Sequence, residues 1–159
     1  MAGLGPAFRY AIGRREPERM SSVVDAAREW IGTPYLHQAS CKGVGCDCLG
    51  LIRGVWRDLH GDEPEPVPPY STDWGEPRGE ELLYDAAMRH MLPVEDAPLA
   101  AGQVVLFRMR HDAVAKHLGF ISVAGARPRF IHAYARHGVV ESPLSKPWRR
   151  KIAARFSIT

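Results

Sequence analysis

The chain has 159 residues, 45% of them hydrophobic and 25% charged, with a formal net charge of +3. That suits one domain with a sizeable core and gives no charge excess to make nucleic acid its partner. No apolar run reaches membrane-spanning length, so no insertion into a bilayer is expected, and the basic cluster Trp148-Arg149-Arg150-Lys151 reads as a solvated strand edge.

Residues 1–19 mix Gly, Pro and Arg without a period and read as a flexible extension ahead of a domain at 20–159. Arg9, Arg14 and Arg15 interrupt any apolar core of an export signal. A helix is expected from Ser21 or Ser22, whose hydroxyls can satisfy a free amide of the first turn. Val23, Ala26, Ala27, Trp30 and Ile31 form its apolar face, and Gly32 and Pro34 stop it. Residues 35–46 read as a loop. Asp47 is placed to cap a second helix, with Leu49, Ile52, Val55, Trp56 and Leu59 at steps of three and four and Gly61 at its end. Pro64 to Pro77 is a proline-rich surface loop. It carries Tyr70 and Trp74, which line a cleft, dock a partner or pack on the domain. A third helix is expected over 79–91, with Leu82, Leu83, Ala86 and Ala87 inward.

The period then changes. Residues 103–109, 116–123, 129–135, 139–142 and 152–158 are short runs rich in Val, Ile and Phe, separated by Gly, Pro or Asp, and predict antiparallel strands. Helices first and strands after make an α+β domain, with the N-terminal helices packed on one side of an antiparallel β-sheet.

Cys41, Cys46 and Cys48 are the only cysteines. An odd, clustered set is a poor disulfide framework and fits reduced thiols. If Asp47 caps the helix, Cys48 is its first residue, and the free amides at the positive end of the helix favour thiolate. A nucleophilic sulfur needs a histidine to move protons and a third polar group to hold that ring. His117 and His132 lie in neighbouring expected strands, where facing side chains are roughly 5 Å apart. Asp112 is a second candidate for orienting His117, but it falls in an expected turn. With the helix end docked across the sheet, Cys48, His117 and His132 make a catalytic set. Two other readings stand beside it. Cys48 is a small buried side chain, or it joins His37, Cys41 and Cys46 in a zinc or iron–sulfur site, although Cys-x-Cys lacks the two-residue spacer of zinc knuckles.

Gly32-Thr33-Pro34-Tyr35, Asp47-Cys48-Leu49-Gly50-Leu51, Ala101-Gly102-Gln103-Val104-Val105-Leu106-Phe107, Lys116-His117-Leu118-Gly119-Phe120 and Ile131-His132-Ala133, in that order, resemble the motifs of the NlpC/P60 cysteine peptidases. The stretches GVGCDCLGLIRGVW, EPEPVPPYSTDW and SPLSKPWRRKIAARFSI resemble more narrowly the phage-type branch, which includes the cell-wall peptidase encoded with the tail proteins of gene transfer agents. The resemblance implies a papain-like α+β fold and hydrolysis of amide bonds in peptidoglycan stem peptides, often the bond between D-γ-glutamyl and a diamino acid. It puts the nucleophile on Cys48, the general base on His117 and the ring-orienting role on His132, and it makes Tyr35 part of the site lining. Asp47 and Trp74 are the further substrate-binding candidates. No metal or other cofactor is required. The family usually has Ser after the cysteine; Leu49 stands there in this chain, as in the phage-type branch, which removes a hydroxyl near the site. The implied partners are a stem peptide and the tail-tip or hub proteins of a phage-like particle. The chain is expected to be made in the cytoplasm, assembled into a particle, and to act in the periplasm of the target cell. A tail-tip component that keeps the fold without turnover is the alternative, and acyl transfer on a lipid, as in some similar folds, is a third reading.

Overall fold

Residues 16–158 are described by a computed structural model. The first helix, α1 (Glu16–Arg28), starts earlier than the serines suggested. Ser22 lies inside it and its hydroxyl donates to the Glu18 carbonyl one turn back, at 2.9 Å, instead of capping. Residues 16–19, expected in the extension, are therefore helical, and 1–15 lie outside the described residues. Val23 and Ala27 are buried as their spacing predicts; the helix ends at Arg28, and in the turn beyond it Trp30 is buried and Ile31 exposed.

Helix α2 (Cys48–His60) begins at the expected residue. Asp47 sits in extended backbone and accepts the Gly50 N–H at 2.7 Å, which satisfies one of the free amides of the first turn. Leu51, Ile52 and Val55 are buried, with Leu49, Trp56 and Leu59 packed at the margin. Two glycines let other groups come close. A Cβ on Gly54 would lie 2.0 Å from the Trp30 ring, and one on Gly50 would lie 1.8 Å from the Ala39 carbonyl oxygen. Between α1 and α2, where a loop is expected, β1 (Ser40–Cys41) and β2 (Gly45–Cys46) form a small antiparallel hairpin. The proline-rich connection holds a short 3₁₀ turn (Glu76–Arg78) and leads to α3 (Leu82–His90), which is shorter than its pattern. Leu83 and Ala87 of α3 are buried, but Leu82 opens the helix and is 45% exposed.

The second half is the sheet. Its strands are β3 (Leu92–Pro93), β4 (Val104–Phe107), β5 (His117–Val123), β6 (Arg129–Tyr134), β7 (Gly138–Pro143) and β8 (Ile152–Ser157). They lie in the order β3-β8-β4-β5-β6-β7, every neighbouring pair antiparallel. Side chains alternate between the two faces. Val104, Leu106, Leu118, Phe120, Ile131, Ala133 and Phe156 join the main core with Trp30, Leu51 and Val55 of the helical layer. Val105, Phe107, Ile121, Phe130 and Leu144 form a second, smaller core on the opposite face.

This second face is not left to solvent. Helix α4 (Lys146–Arg149) lies between β7 and β8, and its Trp148 packs on Phe107 and Phe130 with ring centroids 5.1 Å apart in each pair. The cluster Trp148–Lys151 is thus a short helix and turn with an inward indole, not a strand edge. The domain is α+β as expected, with the larger helices on one side and α4 as a patch on the other. The loop after α1 follows the outer edge of β7: Gly32 N–H donates to the Val139 carbonyl at 3.0 Å, and Val139 N–H to the Thr33 carbonyl at 2.9 Å. Among the described residues no helix is long and apolar enough to cross a membrane.

Candidate active site

The Asp47 cap fixes Cys48 at the tip of α2, and the helix tip meets the start of β5. The Cys48 Sγ lies 3.6 Å from the carbonyl oxygen of Lys116, and it receives the N–H of Leu118. It therefore touches the backbone on both sides of His117. The β5–β6 ladder begins only at Phe120 opposite Ile131, so the sulfur takes up the β5 edge ahead of that pairing.

The electrostatics differ from the expectation of a thiolate. Burial, reinforced by the neighbouring Asp47 carboxylate, pushes the Cys48 thiol up to about 12. The N–H groups of Leu118, Leu49 and Cys48 pull the other way without overcoming the loss of water. The resting sulfur is a thiol.

His117 and His132 are in direct contact, with His117 Nε2 2.8 Å from His132 Nδ1 and the rings nearly perpendicular at 78°. Both alternate with core residues of the helical face, so their rings belong to the opposite face, among Phe107, Phe130, Tyr134 and Trp148. Burial holds His117 down to about 3, helped by the adjoining His132 ring, and holds His132 down to about 4, helped by His137. Each ring is neutral at pH 7. Beyond them, His132 Nε2 is 3.0 Å from Ser142 Oγ. Asp112, the other orienting candidate, is exposed in a turn.

Three tyrosine and tryptophan side chains frame the helix tip. Tyr35 is bridged to Cys46 through its backbone. Burial, then the nearby Cys48 and Asp47, push its phenol up to about 12, so it is a hydrogen-bond donor at neutral pH. Tyr70 donates its hydroxyl to Asp47 Oδ2, and its carbonyl oxygen is bound by His37 Nε2 at 3.0 Å and by Gln38 Nε2 at 2.8 Å. Trp74 stacks on Tyr70 with centroids 4.0 Å apart. Gln38 (φ 66°) and Trp74 (φ 52°) both hold left-handed backbone that non-glycine residues rarely adopt, one on each side of this contact. Between α2, α3 and the proline-rich loop lies a cavity of about 500 Å³, lined in part by Leu49, Ile52, Trp56, Trp74, Leu83 and Leu118.

Of the predicted site residues, His117 and His132 are bonded to each other, Cys48 lies against the backbone on either side of His117, and Tyr35 is near enough to Cys48 for ionisation of one to oppose ionisation of the other. Trp74 is one residue layer out, behind Tyr70. Asp47 is buried and its carboxylate is engaged by the chain itself, through Gly50 N–H, Gln38 N–H and Tyr70 OH, so what it does in the structure is capping and bracing. Cys41 is exposed and Cys46 buried; both are free thiols, and among the described residues no three His, Cys, Asp or Glu side chains are grouped to hold a metal ion. The sequence reading missed Ser142 and the Tyr70–Asp47 bond. Alternation along β7 puts Ser142 on the face of His132, but only the register Phe130 opposite Ser142 brings them together.

No protein-family model matches the chain, and no curated protein does. Solved structures do. The NlpC/p60 domain of the peptidoglycan hydrolase SagA is similar with a TM-score of 0.60 at 16% identity, over 87% of this chain and 98% of that one. An NLP/P60 family protein from Staphylococcus aureus subsp. aureus Mu50, similar to lipoprotein, gives a TM-score of 0.58 at 19% identity over 93% of this chain, which spans 44% of that protein's chain. Ly7917 gives 0.56 at 14% identity, over 87% of this chain and 62% of its own. The fold is that of NlpC/P60 domains, and at these identities the likeness is one of fold.

Proposed function

We propose that this chain is a cysteine peptidase that hydrolyses amide bonds in peptidoglycan stem peptides. The observation that carries the reading is the 2.8 Å bond between His117 and His132, on the strand whose backbone grips the Cys48 sulfur at a capped helix tip. Because thiol and imidazole both start neutral, His117 takes the Sγ proton as sulfur attacks the substrate carbonyl. The carbonyl oxygen becomes an oxyanion, for which the Cys48 N–H and the protonated Tyr35 hydroxyl are candidate donors. As the C–N bond breaks, His117 returns the proton to the leaving amine and a thioester remains. Water, deprotonated by the same ring, then releases the acid and regenerates the thiol.

The named activities of structural neighbours support the substrate class. SagA is a peptidoglycan hydrolase, and Ly7917 has been solved with the hydrolyzing product of MDP. The bond between D-γ-glutamyl and a diamino acid is the scissile bond we assign. We carry with it the reading from the GVGCDCLGLIRGVW, EPEPVPPYSTDW and SPLSKPWRRKIAARFSI stretches. On that reading the enzyme serves cell-wall penetration by a phage-like or gene transfer agent tail, held by tail-tip or hub proteins and acting in the target cell's periplasm. The test is digestion of purified sacculi by the wild type and by Cys48→Ala, with mass spectrometry of the released fragments. Release by the wild type alone is expected. Equal release from both removes the peptidase reading. Silence from a folded wild type favours the structural tail component, a reading that the burial of Cys48 supports.

A further inference from the structure

The contacts do not stop at His132. Ser142 Oγ faces its Nε2 at 3.0 Å, and the mechanism above gives that serine no part. Consider what the two rings must do once His117 has taken the thiol proton. Both nitrogens of His117 then donate, so the His132 Nδ1 that lies 2.8 Å from His117 Nε2 has to be a lone pair. A neutral His132 with a bare Nδ1 carries its proton on Nε2, where Ser142 Oγ is the atom that can accept it. The reverse polarity is self-defeating. If Ser142 donated to Nε2, the His132 proton would sit on Nδ1 and point at His117 Nε2, and the His117 proton would be driven to Nδ1. No ring nitrogen would be left to receive the thiol proton. His132 is 1% exposed, so bulk water cannot stand in for the serine.

We propose that Ser142 is a positioning residue: by accepting the His132 Nε2–H it fixes the tautomers of both rings and keeps His117 a base. Both the tautomer assignment and the role in turnover are argued from the peptidase reading, but the tautomers can be read without turnover.

The experiment compares the whole chain as wild type, Ser142→Thr and Ser142→Val. The two variants have the same shape and differ in the hydroxyl, and both residues suit a strand, so folding is kept in each. Nitrogen-15 NMR of the imidazoles reads the tautomers, and turnover of stem-peptide fragments from sacculi reads kcat and KM separately. Wild type and Ser142→Thr are expected to carry the proton on Nε2 of both rings. Ser142→Val is expected to show His132 protonated at either nitrogen, with kcat about tenfold lower and KM unchanged. A wild-type His132 protonated at Nδ1 overturns the proposal, and so do Thr and Val variants that match each other in tautomer and kcat. The NMR arm needs no turnover, so in a chain that fails to cleave sacculi it still decides the tautomers, and failure of the peptidase reading is told apart from failure of this one.

Discussion

At rest the Cys48 thiol and the His117 and His132 imidazoles are each neutral, not paired as ions. With Cys48 pushed up to about 12 and His117 held down to about 3, neither group changes charge across the neutral range. The expected profile of kcat/KM is therefore flat through 6.5, the ordinary histidine value, and declines on the acid side only as pH approaches about 4. An inflection close to 6.5 would mean that water reaches the His117 ring in the free enzyme. On the proposed mechanism His132, as the orienting ring, should matter less than His117, the base. His132→Ala is expected to lower turnover about 10–100-fold, the worth of a hydrogen bond to a charged group, while His117→Ala lowers it about 10²–10⁴-fold. Wild-type turnover in His132→Ala would show that another group holds His117. The places of Cys48, His117 and His132 in the fold could be read from the chain because each sits beside a local signal: a cap, or an alternating apolar run. The contacts of Ser142 with His132 and of Tyr70 with Asp47 could not be read, since they depend on strand register and on a loop folding back 23 residues to Asp47.

Helix α2 depends on close approach as much as on its apolar stripe. Gly54→Ala adds a good helix former, a gain of about 1 kcal/mol in an exposed helix. Here the new methyl would overlap the Trp30 ring, which the Trp30–Asp58 hydrogen bond of 2.9 Å holds in place. We expect a net loss of about 1–3 kcal/mol, read from the urea midpoint, with α1 prised from α2. Unchanged or raised stability would show that Trp30 can move aside. The elements with a sustained period were legible: α2 to the residue, and the five longer strands within a residue or two. The two-residue strands β1, β2 and β3 and the four-residue α4 are too short to have a period, and tertiary pairing makes them. The start of α1 was misplaced because a serine bonding back to Glu18 imitates a capping serine in sequence.

At the scale of the whole molecule, the two buried rings link folding to acidity. Each has a folded value below its ordinary one, so the unfolded chain binds protons that the folded chain refuses. Their contribution to stability is complete above about 6.5 and is lost as pH falls toward about 4 and then about 3. Carboxylates such as Glu76, held low by hydrogen bonds from Lys116 and Arg110, act only further down, below the ordinary 4.5. Denaturant midpoints should therefore fall between pH 7 and pH 5, and fall less steeply in His132→Gln, which has one titrating ring fewer. An equal slope in both proteins would locate the acid sensitivity elsewhere.

The outer margin of β7 decides how this molecule can meet copies of itself. Gly32 and Thr33 already occupy Val139 at one end, the Glu141 carbonyl accepts from Arg129 at 3.0 Å, and Pro143 has no N–H to offer at the other. A strand arriving from a neighbour finds too few open groups to pair along this margin. Fibre-like growth by sheet extension is blocked here, so the protein can be held at the high local concentrations of a crowded assembly without zipping up through this side of its sheet.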